Sequence, residues 1–329
     1  MGPAPTSSPA SGLLTAQHES LVRLPRSTPS VIVLAPSLVG VAVFVYGFIG
    51  YTIALSFTSS TMLPHWDWVG VSQYLRLFGN YRWGIAVHNM LVFGGLYIVG
   101  ATTIGLTLAI LLDQRIRVEG ALRSVFLYPM ALSFIVTGVV WQWVMNPGLG
   151  LEHLVHELGW PGFSFEWIVE PEFAIYCVVI AGVWQISGYV MAIFLAGLRA
   201  VNPEIIRAAK IDGASPYQTY WHVVIPTLRP TFLSALVVQA HMAIKSYDLV
   251  VALTKGGPGN ATELPTTFMY SSAFLRDELA LGASSAVVLL TTIAAIVIPY
   301  LYSELRNDDL DKGVRLRKRS NSRGATDNA

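Results

Sequence analysis

An all-α polytopic membrane protein is predicted by three observations. Of 329 residues, 53% are apolar and only 12% are charged, with a mean hydropathy of +0.53, about half the charge of an average soluble domain. The apolar residues gather into six runs of about 20 residues or more, the length a helix needs to cross a bilayer. Lys and Arg cluster beside alternate ends of those runs, as they do on the cytoplasmic side of membrane proteins.

The runs extend from Val31 to Phe57, Ala86 to Leu112, Ser124 to Met145, Phe173 to Leu198, Thr231 to Leu253 and Leu281 to Tyr302. Residues 1–30 are polar and rich in Pro and Ser and read as a disordered cytoplasmic segment. They lack the short apolar core and small-residue cleavage site of a secretory signal, so the first run reads as a retained anchor. Residues 31–305 read as one six-helix transmembrane domain, and 306–329 as a disordered basic tail. With 18 Pro and 28 Gly scattered through the chain rather than massed in one block, helices with internal breaks are expected.

Orientation follows from the cations. Arg23 and Arg26 precede the first run; Arg115, Arg117 and Arg123 lie between the second and third; Arg199, Arg207, Lys210 and Arg229 lie between the fourth and fifth. Seven more, from Arg306 to Arg323, follow the sixth, so that sixteen of the 21 Lys and Arg fall on one side. The loop 146–172 carries Glu152, Glu157, Glu166, Glu170 and Glu172 and no cation. Both termini are therefore expected in the cytoplasm and the acidic loop outside.

The remaining chemistry is restrictive. A net charge of +1 without a clustered basic domain argues against a nucleic-acid partner, and the basic tail reads as a solvated topogenic run. A single cysteine, Cys177, excludes internal disulfides and multi-cysteine metal sites and reads as a small core residue. No G-x-x-x-x-G-K-[ST] loop is present, nor any nucleophile elbow or metal cluster, so a membrane enzyme is disfavoured.

The segment from Asn202 to Pro230 is too long and too regular for a plain connector. Asn202 is a good N-cap, Pro203 suits the first helical position, and Glu204 suits the positive end of the helix dipole. Gly213 supplies the positive φ of a helix stop, and Ser215-Pro216-x-Gln218 restarts a helix with a capping box. The result is a helix–Gly–helix elbow over residues 202–226. Small Ala208 and Ala209 allow another protein to approach it closely.

Arg207-Ala208-Ala209-x-x-Asp212-Gly213-Ala214, followed by Val223-x-Ile225-Pro226, resembles the signature loop of binding-protein-dependent ABC importer permeases. That pattern is E-A-A, three residues, Gly, nine residues and I-x-L-P. Arg207 replaces its opening Glu, so a contact normally made by a carboxylate is absent or inverted here. Leu253-Thr254-Lys255-Gly256-Gly257-Pro258-Gly259 is similar to the L-T-x-G-G-P turn after the fifth span of carbohydrate-type members. The resemblance covers residues 31–306. It implies a non-catalytic permease that pairs with a second, homologous permease and sits in membrane lipid. It further implies that the elbow residues Arg207, Ala208, Ala209, Asp212, Gly213 and Ala214 dock on an ATPase subunit dimer. Sugar would arrive from an extracytoplasmic binding protein, and ATP and Mg would bind to the ATPase, with no cofactor on this chain.

Polar side chains within spans are site candidates, since lipid exposure is unfavourable for them. Gln185 and Tyr189 share a face of span 4, and Met242, Lys245 and Ser246 share one of span 5. Gln185, Tyr189, Ser246 and Trp184 together offer the amide, hydroxyl and aromatic groups a polyol needs. Counting back from the two motifs, the sugar-lining positions of the maltose-type permeases fall on Gly182, Gln185, Ile186 and Tyr189, and on Met242, Ala243 and Ser246. That set has few amides and implies a different, smaller sugar. Lys245 and Asp248, three apart, read first as an ion pair neutralising two membrane charges and second as part of an ion relay. A stand-alone secondary transporter is the rival function, but it should show internal repeats or a chain of coupled charges, and besides His88 the other spans offer little.

Overall fold

In the computed structural model the backbone is described for residues 28–114 and 116–326, and side-chain surroundings for 34–114 and 116–302. The chain divides into two units, Met1–Tyr51 and Thr52–Ala329. The first run is helical as α1 (Thr28–Val41), a π turn at Ala42–Tyr46, and α2 (Gly47–Leu55). The helix begins ahead of the expected Val31, and residues 1–27 of the expected disordered segment lie outside the described residues.

Among the described residues the regular structure of the second unit is helical, apart from one isolated antiparallel bridge, Thr58 to Trp68, ahead of α3 (Ser72–Phe78). Asn80 then caps α4 (Tyr81–Asp113), its side-chain oxygen accepting from the Arg82 amide at 2.9 Å. At 33 residues α4 is about 50 Å long, so its first turn projects beyond the apolar run that begins at Ala86.

Span 3 is not the straight helix expected over Ser124 to Met145. It is built of α5 (Glu119–Ala131) and α6 (Phe134–Val144), bent by 98° at Leu132 and Ser133. Pro129 lacks an amide to continue the ladder, and Ser133 starts a new helix by accepting from the Val136 amide. After α7 (Leu151–Glu157) comes α8 (Ala174–Ala200), the most deeply buried of the candidate spans. It lies between α4 and α5: a β-carbon on Gly182 would meet the Tyr97 ring at 3.1 Å, and one on Gly188 would meet the Phe126 carbonyl oxygen at 1.7 Å. The seam is filled by Phe93, Tyr97, Ala101 and Ala109 from α4 and by Ile186, Val190, Met191 and Phe194 from α8. Between helices in a bilayer such a seam is held by close van der Waals packing, which the small Ala and Gly positions permit, rather than by removal from water.

The elbow comprises α9 (Pro203–Ile211), α10 (Pro216–Thr219), a π turn at Tyr220–Val224 and α11 (Ile225–Thr227). It leads at a 65° bend into α12 (Arg229–Ile244), which meets α8 through an edge-on pair of Phe194 and Phe232, centroids 4.6 Å apart. The expected fifth span is broken: α12 ends at Ile244 and α13 (Tyr247–Leu253) begins afresh after Lys245 and Ser246. Then come α14 (Pro265–Tyr270), a π turn at Ser271–Leu275, and α15 (Leu279–Thr326). Within the described backbone α15 continues through 306–326, which was expected to be part of a disordered basic tail over 306–329. That stretch holds no Pro, and a third of its residues are Arg or Lys, both good helix formers. Among the described residues, four helices are long and apolar enough to cross a membrane, or up to six if each bent pair forms one span.

Candidate functional site

Three elements converge where the expected pathway residues lie. Gln185 on α8 is 2% exposed and its Nε2 donates to the Leu132 carbonyl at 2.9 Å, at the bend between α5 and α6. A β-carbon on Gly182 would also touch Leu249 of α13 at 3.4 Å, and one on Gly138 of α6 would run into Ala252 and the Leu249 carbonyl. Thus α8, α13 and the bent pair meet around Gln185. The α8 half of the expected set lies at this junction, and Ser246 of the other half heads α13, which reaches it through Leu249.

Within it the roles differ. Gly182 permits close helix packing, while Ile186 and Ala243 are core. Ser246 is buried and donates its hydroxyl to the Met242 carbonyl at 3.0 Å, one turn back across the break. Tyr189 and Met242 keep partial exposure. Trp184 does not join Gln185; it stands edge-on to Trp141 at 5.7 Å and lines a wide apolar groove of about 990 Å³ beside α4, α5 and α8. The expected Lys245–Asp248 ion pair is not formed, and both side chains are exposed. The break at Lys245–Ser246 removes the helical spacing that the pairing required. His88 is exposed on α4, and Cys177 is buried in the core.

The elbow follows its sequence closely. The Asn202 side chain accepts from the Glu204 amide at 2.9 Å, Gly213 takes φ +80°, and Ser215 and Gln218 close a reciprocal capping box. Arg207, Ala208, Asp212 and Gly213 are exposed, with Ala209 and Ala214 half-buried. The sequence reading missed two features. Ile211 is 86% exposed, and the exposed Tyr217 and Trp221 rings stack with centroids 6.2 Å apart and planes within 8°, so the elbow presents an apolar face. Their i,i+4 spacing was the available signal. The Tyr220 hydroxyl donates to Asp113 at 2.9 Å, fastening the elbow to the end of α4.

At the other end of α4, the loop after α13 is clasped. Thr254 and Thr262 hydroxyls meet at 2.7 Å, and Thr262 also donates to the Gly257 carbonyl. Asn89 Nδ2 donates to the Ala261 and Glu263 carbonyls, each at 3.0 Å, and the Arg82 guanidinium grips the Glu263 carboxylate. Burial pushes the Glu263 carboxyl up, against the downward pull of Arg82. The Leu253–Gly259 motif is thus a folded turn tied to α4.

This geometry defines a polytopic helical membrane component with an exposed elbow at one end and a pinned loop at the other. Residues 101–307, well over half of the chain, match the binding-protein-dependent transport system inner membrane components. The chain belongs to that family. It is the multi-pass membrane permease of an ABC importer and not its ATP-hydrolysing part. A probable ABC transporter permease protein of Pyrococcus horikoshii is 38% identical over 85% of this chain and 96% of its own. The xylose/arabinose import permease protein XacH of Haloferax volcanii is 36% identical over 82% of this chain and 86% of its own. A chain of the crystal structure of a bacterial ABC transporter involved in import of the acidic polysaccharide alginate superposes with a TM-score of 0.72 at 18% identity, covering 85% of this chain and 96% of that one.

Proposed function

We propose that this chain is the permease subunit of a sugar importer. With a second, homologous permease it encloses a pathway lined by Gln185, Tyr189, Gly182, Ile186, Met242, Ala243 and Ser246, and the elbow of residues 202–226 seats on an ATPase dimer. The ATPase binds ATP and Mg; this chain supplies the route and the mechanical contact. An extracytoplasmic binding protein delivers the sugar to the face opposite the elbow, and both termini lie in the cytoplasm. The observation that carries the reading is the 36% identity to a xylose/arabinose import permease over 82% of the chain. It is supported by a buried amide and hydroxyl at the junction of α8, α13 and the α5–α6 bend.

The test is reconstitution of this chain with its partner permease, ATPase and binding protein in proteoliposomes, with a panel of pentoses, hexoses and disaccharides. ATP-dependent uptake of one of them is expected. Sugar uptake by the chain alone, without ATP, would overturn the reading.

A further inference from the structure

The pinned loop encloses more than its own hydrogen bonds. Between the start of α4, the first turn of α13 and the end of α14 lies a cavity of about 280 Å³, near the lower limit for small-molecule sites. Tyr247 and Tyr270 form one wall, their rings 5.2 Å apart and inclined by 51°. The opposite wall is the clamp: Arg82 Nε donates to Glu263 at 3.1 Å and Nη2 to Ser271 at 3.2 Å, with the guanidinium 5.6 Å from the centre of the Phe268 ring. The Arg82 and Glu263 side chains are only 16% and 5% exposed. Their charges are consumed by each other. Lys255 and Asn260 also line the cavity, and among the described residues neither side chain makes a hydrogen bond or ion pair.

We propose that this cavity binds a single sugar ring at the mouth of the pathway, stacked on Tyr247 and Tyr270 and hydrogen-bonded by Lys255 and Asn260. The site rests on the sugar-importer reading and lies apart from the Gln185 junction. An aromatic wall accepts the apolar C–H face of a pyranose or furanose, and an amide beside an ammonium offers donors and an acceptor to its hydroxyls. With Arg82 neutralised, Lys255 leaves the cavity one positive charge, which admits neutral or acidic sugars and rejects cationic solutes. The folded turn at 254–262 fixes the backbone that carries Lys255 and Asn260, so the ordering needed on binding is confined to their side chains. Its position gives it a role: sugar released from a binding protein is held at the mouth before it reaches the interior.

The experiment uses the full transport complex in nanodiscs without binding protein, titrated with xylose, glucose and maltose and read by saturation-transfer NMR on the sugar C–H protons. Saturation of at least one sugar is expected, with the apparent Kd weakened at least about fivefold in Tyr270→Ala and in Lys255→Gln, restored in the conservative Tyr270→Phe, and unchanged in Leu290→Ala, an exposed position on α15 away from both sites. Lys255 is exposed, so its variant tests the site even if Tyr270→Ala misfolds. Saturation abolished by Gln185→Ala but not by Tyr270→Ala and Lys255→Gln would place the sugar in the interior and overturn the inference, leaving the importer reading intact. So would absence of any signal from a sugar that the complete system transports. If no sugar is transported or bound, the importer reading falls, and this site with it.

Discussion

Gln185 of α8 donates its amide to the carbonyl of Leu132 at 2.9 Å, at the bend between α5 and α6, while its own Oε1 is buried without a partner. One side chain therefore does two things. It satisfies a carbonyl that the helix break leaves open, and it holds a spare acceptor in the interior. Replacing Gln185 with Leu should leave the Leu132 carbonyl unsatisfied at a cost of about 1–3 kcal/mol. The complex should melt several degrees lower and transport more slowly. Gln185→Glu should be milder than Gln185→Leu in acid, where the protonated carboxyl can donate to that carbonyl, and worse in alkali, where an ionised carboxylate cannot donate and is a buried charge. Melting curves and uptake rates of the three complexes check this; equal stability in all three would mean that the bend is held by other contacts.

Close approach at Gly188 gives the second prediction. A β-carbon there would lie 1.7 Å from the Phe126 carbonyl oxygen, a backbone atom that cannot turn aside, whereas one on Gly95 would meet nothing within 4 Å. Gly188→Ala should push α5 off α8 and abolish stable expression. Gly95→Ala should be neutral or stabilise by up to about 1 kcal/mol, since Ala is the better helix former. Size-exclusion profiles of the two variants in detergent distinguish them.

Much of this was legible in the chain. The elbow is determined locally: Asn202, Ser215 and Gln218 satisfy backbone groups at helix ends, Pro203 removes an amide that would have no partner, Gly213 takes the positive φ of the stop, and the structure follows them closely. The six apolar runs were legible as well. The breaks within them were less so: Pro129 and Ser133 mark the 98° bend at Leu132–Ser133 locally, but Gln185, far away in sequence, satisfies the carbonyl it leaves open, and no Pro or Gly marks the stop at Lys245–Ser246. For the same reason the Lys245–Asp248 pair, drawn on an unbroken helix, does not form, and Trp184, drawn beside Gln185, faces an apolar groove with Trp141. The Arg82–Glu263 clamp joins residues 181 apart, and no local pattern announces it.

Gly213 sits at φ +80° with open space around it, so a substitution there strains the backbone without a steric clash. Gly213→Val should destabilise the turn by roughly 1 kcal/mol or more, misdirecting α10 relative to α9. Because the elbow is exposed, membrane insertion should survive while uptake fails. ATPase activity of the reconstituted complex is the readout; full sugar-stimulated activity in Gly213→Val would mean that the turn need not hold its shape.

The last prediction concerns how the elbow grips its partner. Arg207 stands where relatives of this signature place a Glu, is exposed, and has no ion-pair partner among the described residues, while Ile211, Tyr217 and Trp221 present an apolar face on the same elbow. Two contributions to docking follow: charge from Arg207 and apolar burial from the other three. They separate by salt, because exposed charge pairs are screened and apolar contacts are not. If Arg207 meets acidic side chains or carbonyls on the ATPase, Arg207→Glu should weaken assembly more than Arg207→Ala, as repulsion adds to lost attraction, and the gap should narrow at high salt. Trp221→Ala should weaken assembly at both salt concentrations, by the roughly 2 kcal/mol or more typical of a buried aromatic anchor. Pull-down of the ATPase at low and high salt decides between them. Equal loss in both Arg207 variants at both salts would show that its side chain only packs, and the apolar face would then carry the joint.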